Sequence, residues 1–302
     1  MKGLVAIGIG TLLLPLWRFL SLPLWADALL WSVSIGSIAV GIGYAIAEAP
    51  AFNNRTRWVL VWAGATLAIL GWASVNKEYL ALNAGLCIIL SALLVGRRWW
   101  YYAAAGIVLA FLTFGYFAAG AFGDAPWTWL LLAFAGLVLG QLPRNIAAGS
   151  ALALGTFLLA IGSWRISQLP SQFVEAFDFF ESFSITFALM HAAGLIVIGM
   201  LILVPSWRPL ARIGQHCVSV YFVTMLAARA KSAFDTGGTL RDVLIPDRSA
   251  RYSSSFLDMF TSATAAPSVV LAISAVVVCF LVACHKSWGP AEKPFVNLAT
   301  HR

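Results

Sequence analysis

The stretch RRWWYYAAAGIVLAFLTFGYFAAGAF, residues 97–122, decides how the whole chain is read. Arg97 and Arg98 lead into Trp99, Trp100, Tyr101 and Tyr102, and an uncharged apolar run then continues to Phe122. A helix needs about 20 apolar residues to cross the hydrocarbon of a bilayer. Trp and Tyr gather where hydrocarbon meets headgroups, and Lys and Arg gather on the cytoplasmic flank. All three marks follow one another here. The remaining sequence repeats the theme. Of 302 residues, 61% are hydrophobic and 10% are charged, where soluble domains carry about 25% charged residues. A soluble core of this length cannot hide so much apolar surface, and lipid is the solvent that can. Trp58, Trp127 and Trp129 also fall at edges of apolar runs and read as interface anchors.

Outward from this stretch, ten apolar segments follow one another: 4–17, 23–47, 58–75, 79–96, 99–122, 127–141, 145–163, 183–204, 213–228 and 267–284. The first, sixth and ninth are short for a crossing and imply tilt, a break or extension into flanking residues. Pro15, Pro23, Pro126, Pro143, Pro205 and Pro267 punctuate segment ends. Most connections are very short, which makes consecutive helices antiparallel neighbours. The expected fold is all-α and integral to the membrane, a single bundle of about ten transmembrane helices over residues 1–288 with a tail at 289–302. The first segment also resembles a secretory signal, with Lys2, an apolar stretch and Ala26-Asp27-Ala28, although Arg18 interrupts that pattern.

Orientation follows from the basic residues. With the N-terminus inside, the inner segments hold Lys2, Arg55, Arg57, Arg97, Arg98, Arg144, Arg208, Arg212, Lys286, Lys293 and Arg302, and the short outer loops hold only Arg18, Lys77 and Arg165. The long connection 229–266 is set aside because long loops follow the rule poorly. Both termini are therefore expected in the cytoplasm. Asp124, Glu175, Asp178 and Glu181 then fall outside. The outer loop 164–182 mixes those acids with Phe173, Phe177, Phe179 and Phe180, as either an interfacial amphipathic helix or an ordinary solvated loop would. The sequon Asn54-Arg55-Thr56 lies on the inner side, where it is not glycosylated.

The formal charge of +7 does not point to nucleic acid, because the basic residues are scattered between apolar runs without a stripe or a recognition motif. Cys87, Cys217, Cys279 and Cys284 lie in or beside apolar runs and show neither zinc spacing nor a disulfide framework. They read as small apolar residues. No P-loop, nucleophile elbow, zincin helix or dinucleotide fingerprint is present.

Ionisable groups within a span are expensive and mark function by default. His191 lies inside the eighth segment and His216 near the start of the ninth, while Asp27, Asn83 and Gln141 complete the polar set. His191 reads equally as a base, a metal or haem ligand, or a hydrogen-bonded bundle residue packed among Ala188, Ala192 and Gly194. His216 follows Arg208 and Arg212 by one to two helical turns. Two arginines beside a helix start can grip phosphate groups, or they can serve only to hold topology.

The stretch Leu189-Met190-His191-Ala192-Ala193, then Arg208-Pro209-Leu210, then Ile213-Gly214-Gln215-His216-Cys217-Val218-Ser219-Val220-Tyr221-Phe222, resembles the C-terminal part of a bacterial family of polytopic membrane O-acyltransferases. Members succinylate osmoregulated periplasmic glucans and belong to the acyltransferase-3 superfamily. The segment Pro126 to Gly140 is similar to a family helix ending in a Gly-rich turn. The likeness covers about a third of the chain. The superfamily's histidine near its first helices has no counterpart in the first two segments here. The resemblance implies a multi-pass protein of the bacterial inner membrane that moves a succinyl or acetyl group from cytoplasmic acyl-CoA to a hydroxyl of a periplasmic or envelope glycan. It implies no tightly bound cofactor and no metal. Acyl transfer to a hydroxyl needs a base, and neutral histidine suits that task. His216 is the first candidate and His191 the second, with Arg208, Arg212, Gln215 and Tyr221 on the substrate. If both histidines serve one site, their imidazoles line one cavity open to the cytoplasm. A transport or assembly component for an envelope polymer, without catalysis, remains the alternative reading, and a haem or quinone protein is a third.

Overall fold

The computed structural model describes residues 1–19, 24–49, 52–73, 79–118, 126–167 and 183–221. The long connection 229–266, the tenth segment, the tail and nearly all of the outer loop 164–182 lie outside the described residues. Among those described, every regular element is a helix: α1 Lys2–Phe19, α2 Leu24–Ala47, α3 Asn54–Ala73, α4 Tyr79–Leu94, α5 Trp99–Ala118, α6 Pro126–Leu139, α7 Arg144–Ser167, α8 Phe183–Leu203 and α9 Arg208–Gln215. The first eight expected segments each coincide with a helix to within a few residues. The ninth does not. Its helix begins five residues early, at Arg208, turns at His216 and resumes over 217–221. Arg208, Pro209 and Arg212 dilute the apolar signal there, yet Pro in the first turn suits a helix start because no intrahelical N–H is needed.

Local chemistry explains several ends. Asn53 Oδ1 accepts the Thr56 N–H at 2.8 Å and its hydroxyl at 3.1 Å, which caps α3. After α4 the chain turns through Gly96 at φ 69°, a left-handed conformation that glycine adopts without strain. Arg97 N–H then reaches the Leu94 carbonyl at 3.0 Å, and α5 starts two residues later.

The bundle is organised around α2, which packs against α1, α6 and α8 and also touches α4. The pairs α7 with α8, α3 with α4, and α1 with α9 complete the main contacts. Glycine is what lets α2 serve three neighbours. A Cβ on Gly36 would overlap the Met190 carbonyl of α8, and one on Gly194 would fall 2.6 Å from the Gly36 carbonyl. A Cβ on Gly43 would overlap the Ala133 carbonyl of α6, and one on Gly136 would overlap that of Val40. Small residues permit this backbone-to-backbone approach, the favoured way to pack helices where solvent gives no hydrophobic drive. Ser34 adds a bond between helices, its hydroxyl donating to the Gly10 carbonyl at 2.7 Å.

At one end of the bundle, hydrogen bonds tie the starts of α1, α3, α5 and α7 to the finishes of even helices. The Met1 amino group pairs with Glu48, and Lys2 Nζ donates to the Val204 carbonyl. Arg57 donates to the carbonyls of Ala92 at 3.2 Å and Val95 at 2.9 Å. Arg144 donates to those of Ile202 at 2.8 Å and Leu203 at 2.9 Å. Gln141 bonds the Tyr102 hydroxyl. Helices α1 to α8 therefore alternate in direction, and Lys2, Arg55, Arg57, Arg97, Arg98 and Arg144 gather at this end.

Among the described residues, two helices, over Leu29–Ala47 and Arg144–Trp164, are long and apolar enough to cross a membrane by length and composition. The first is mostly buried and the second mostly exposed. The exposed faces are strongly apolar: Phe111 is 74% exposed, Ile107 70%, Trp62 69% and Phe157 62%. Trp58, Trp99, Trp100 and Tyr101 are exposed, as expected for interface anchors. Trp129 is not. It is 1% exposed and belongs to the packed centre of the bundle. Its place one turn into α6, on the face turned to α2, overrides its nearness to a segment edge.

Overpacking a tight helix crossing costs roughly 1–3 kcal/mol or more. Gly43→Val is expected to cost at least that, read as a lowered melting temperature of the purified protein. Gly149→Ala, where an added Cβ meets nothing within 4 Å, is expected to be neutral or stabilising by up to about 1 kcal/mol. Equal responses at the two sites would remove the close-approach account.

Candidate functional site

The Gly-Gln-His element sits on a short, sharply two-faced helix. In α9, Ala211 and Gly214 are buried, whereas Arg208 and Arg212 are exposed. The arginines are four residues apart and share a face. The buried face crosses α1 near its N-terminus. A Cβ on Gly214 would overlap the Leu4 carbonyl, and one on Gly8 would overlap that of Leu210. The glycine of the element is thus required by packing. The helix closes at His216, whose N–H is shared between the carbonyls of Arg212 at 3.2 Å and Ile213 at 3.0 Å. Its side chain is exposed. The His216 carbonyl then accepts the Val220 N–H at 3.0 Å and starts the next helical stretch.

Beneath this corner lies a cavity of about 160 Å³ bounded by α1, α2, α3, α4 and residues 214–221. Among the described residues its walls are almost wholly aliphatic, and none that lines it is charged. The polar groups on the wall are Thr11, Gln215 and Tyr221, with the Cys217 thiol. The Thr11 hydroxyl is committed to the Ile7 carbonyl at 2.7 Å. The helix directions set the cavity's long axis. Leu4, Ala45, Ile46 and Gln215 border it near the basic end, while Leu14, Leu67 and Leu80 border it at depth.

His191 is elsewhere. It is 4% exposed in the middle of α8. Its Nδ1 lies 2.8 Å from the Phe187 carbonyl, and its ring lies over that of Phe187, centroids 4.0 Å apart. The Thr128 backbone of α6 interacts with the ring, although Nε2 makes no hydrogen bond of full geometry. Neither imidazole lines the cavity. The expectation of one joint site is therefore corrected. Met190 and Gly194 seat α8 against Gly36 of α2, which turns His191 into a dry helix interface, whereas His216 terminates α9 on the surface of α1. Gln215 and Tyr221 do come together on the cavity wall, and Arg208, Arg212 and His216 share the exposed side of the same corner.

The sequence reading missed the cavity's other walls, contributed by α1 to α4. Apart from Thr11 they carry no polar signal, and they share their residue types with the lipid-like outer faces. Arg97 donates to its own helix's Leu93 carbonyl at 3.3 Å and lies over Tyr101, and Arg98 is exposed. Among the described residues, no group of three or more His, Cys, Asp or Glu side chains is placed to hold a metal ion.

No family model matches the chain, and neither a curated protein nor a solved structure matches it.

A typical intramolecular hydrogen bond contributes about 0.5–1.5 kcal/mol net to stability. His191→Leu is accordingly expected to change unfolding free energy by less than about 1.5 kcal/mol, measured by thermal denaturation. A loss of about 3 kcal/mol or more would instead mark the ring as part of a buried network.

Proposed function

We propose that the chain is a multi-pass protein of a bacterial inner membrane with its basic end in the cytoplasm, and that it is an O-acyltransferase moving an acyl group from cytoplasmic acyl-CoA to an envelope-glycan hydroxyl. The exposed apolar faces of α3, α5 and α7 support immersion in lipid, since monomers in water rarely expose apolar patches above a few hundred Å². The collection of Lys2, Arg55, Arg57, Arg97, Arg98 and Arg144 at one end supports the orientation. One observation carries the chemistry: Gly214 and Gln215 line an apolar cavity, and the next residue, His216, is exposed, as are Arg208 and Arg212 on the same helix.

The roles divide accordingly. Arg208 and Arg212 offer fixed positive charge to the phosphates of the donor. The cavity receives the acyl arm. The neutral His216 imidazole takes the proton from the acceptor hydroxyl as that oxygen bonds to the thioester carbonyl carbon. The Gln215 amide is positioned to donate to the oxygen that becomes negative. Collapse breaks the carbon–sulfur bond, and the proton passes from the imidazolium to the leaving thiolate. His191 has no part in these steps. The competing reading, a transport or assembly component for an envelope polymer, draws its support from the separation of the two histidines.

Mass spectrometry of envelope glycans tests the reading directly. An acyl mass shift should require the gene, and His216→Ala should reduce it about 100-fold or more. Arg208→Ala with Arg212→Ala should raise the KM for the donor about tenfold or more while changing kcat little. If no glycan mass depends on the gene, the transport or assembly reading takes over. Unaltered acylation in His216→Ala would remove the base. For orientation, a single cysteine replacing Arg98 should react with a membrane-impermeant thiol reagent in inverted vesicles and not in intact cells.

A further inference from the structure

We infer that the donated acyl group is uncharged and apolar, with about four to six carbons, and that succinyl is excluded. The inference rests on the acyl-donor reading above and concerns the group that the cavity selects. Size sets the upper limit. An apolar cavity of about 150 Å³ in another protein holds one benzene molecule, six carbons, and the cavity here is about 160 Å³. Direction follows from the helix register. A thioester held beside Gln215 and His216 points its chain along Ile7, Ile42 and Ile38 toward the deep wall of Leu14, Leu67 and Leu80.

Charge sets the exclusion. A succinyl chain would carry its carboxylate into a wall on which none of the described residues is charged, and an ion stripped of water without a partner is strongly disfavoured. The basic residues nearest the bundle's interior are committed elsewhere. Arg57 serves the Ala92 and Val95 carbonyls, Arg144 serves Ile202 and Leu203, and Lys2 serves Val204. Arg208 and Arg212 are exposed on the opposite face of α9 from buried Gly214. They can hold phosphates outside the mouth but do not line the cavity. The corner therefore separates recognition of an anionic carrier from recognition of an apolar load.

The test is a binding series on the full-length protein in lipid nanodiscs, with free CoA and its acetyl, butyryl, hexanoyl, decanoyl and succinyl thioesters. Affinity should climb from acetyl to hexanoyl by up to about fourfold per added methylene, and gain nothing further at decanoyl. Succinyl-CoA should bind no tighter than free CoA. Ala81→Leu, which fills the deep end, should erase the hexanoyl advantage while leaving free CoA binding unchanged. Succinyl-CoA binding as tightly as hexanoyl-CoA, or affinity independent of chain length, would overturn this inference and leave the acyl-CoA reading standing. If neither CoA nor any thioester binds, the acyl-donor reading falls and this inference with it.

Discussion

The carbonyl groups at the ends of α4 and α8 impose the constraint on which the arrangement depends. A helix leaves its last four carbonyls without intrahelical partners, and in a bundle of this composition little else can satisfy them. Arg57 and Arg144 do so from the first turns of α3 and α7. A cation at the start of its own helix opposes that helix's dipole, but beside the end of a neighbour it is favourable. Antiparallel adjacency brings those two positions to one level. The basic residues and the alternation of helices thus require each other. The same end ties α1 to α2 through Met1 and Glu48, and α5 to α6 through Tyr102 and Gln141. Positive charge collected for topology is, at these positions, also the means of closing helix ends.

The distribution of side-chain size follows from the central place of α2. One helix can pack closely against three others only if its own surface is small, and α2 reads Ser-Val-Ser-Ile-Gly-Ser-Ile-Ala-Val-Gly-Ile-Gly from Ser32 to Gly43. Its neighbours answer with Gly136 and Gly194. The bulky residues Phe111, Phe157, Trp62 and Trp99 are displaced outward. Soluble folds bury the large apolar side chains and expose polar ones. Here small residues line the α2 crossings and large apolar side chains also face out, the pattern expected where the surroundings are as apolar as the side chains.

That pattern explains which features the sequence makes legible. Helix number and limits through Leu203 are readable because Pro126, Pro143, Pro205, Gly96 and the paired charges punctuate long apolar runs. The start of α9 is not, since Arg208 and Arg212 make its first turn look like a loop. Trp129 is misread because edge position and burial coincide in α6, and only the Gly136–Val40 crossing shows which face turns inward. The corner formed by Arg208, Arg212, Gln215 and His216 is readable because local polarity advertises it. The grouping of His191 with His216 is not decided by sequence, since nothing in an apolar run tells which neighbour a helix face meets.

The cavity shows the same limit from the other side. Its walls are drawn from positions between Leu4 and Tyr221, on segments far apart in the chain. They converge because α9 is seated on α1 through Gly8 and Gly214, and because α1 is packed along α2. A Cβ at either glycine would lift α9, and Gln215 and Tyr221 would move with it. The wall formed by Gln215 and Tyr221 is thereby coupled to backbone contact at the first helix. Ile38 is 5% exposed and lines the cavity, whereas Ile107 is 70% exposed on the outside. The two are chemically identical in the sequence. Selectivity for what enters such a site is set by packing, and the residues that impose it cannot be told from those that merely face the apolar surroundings until the helices are in place.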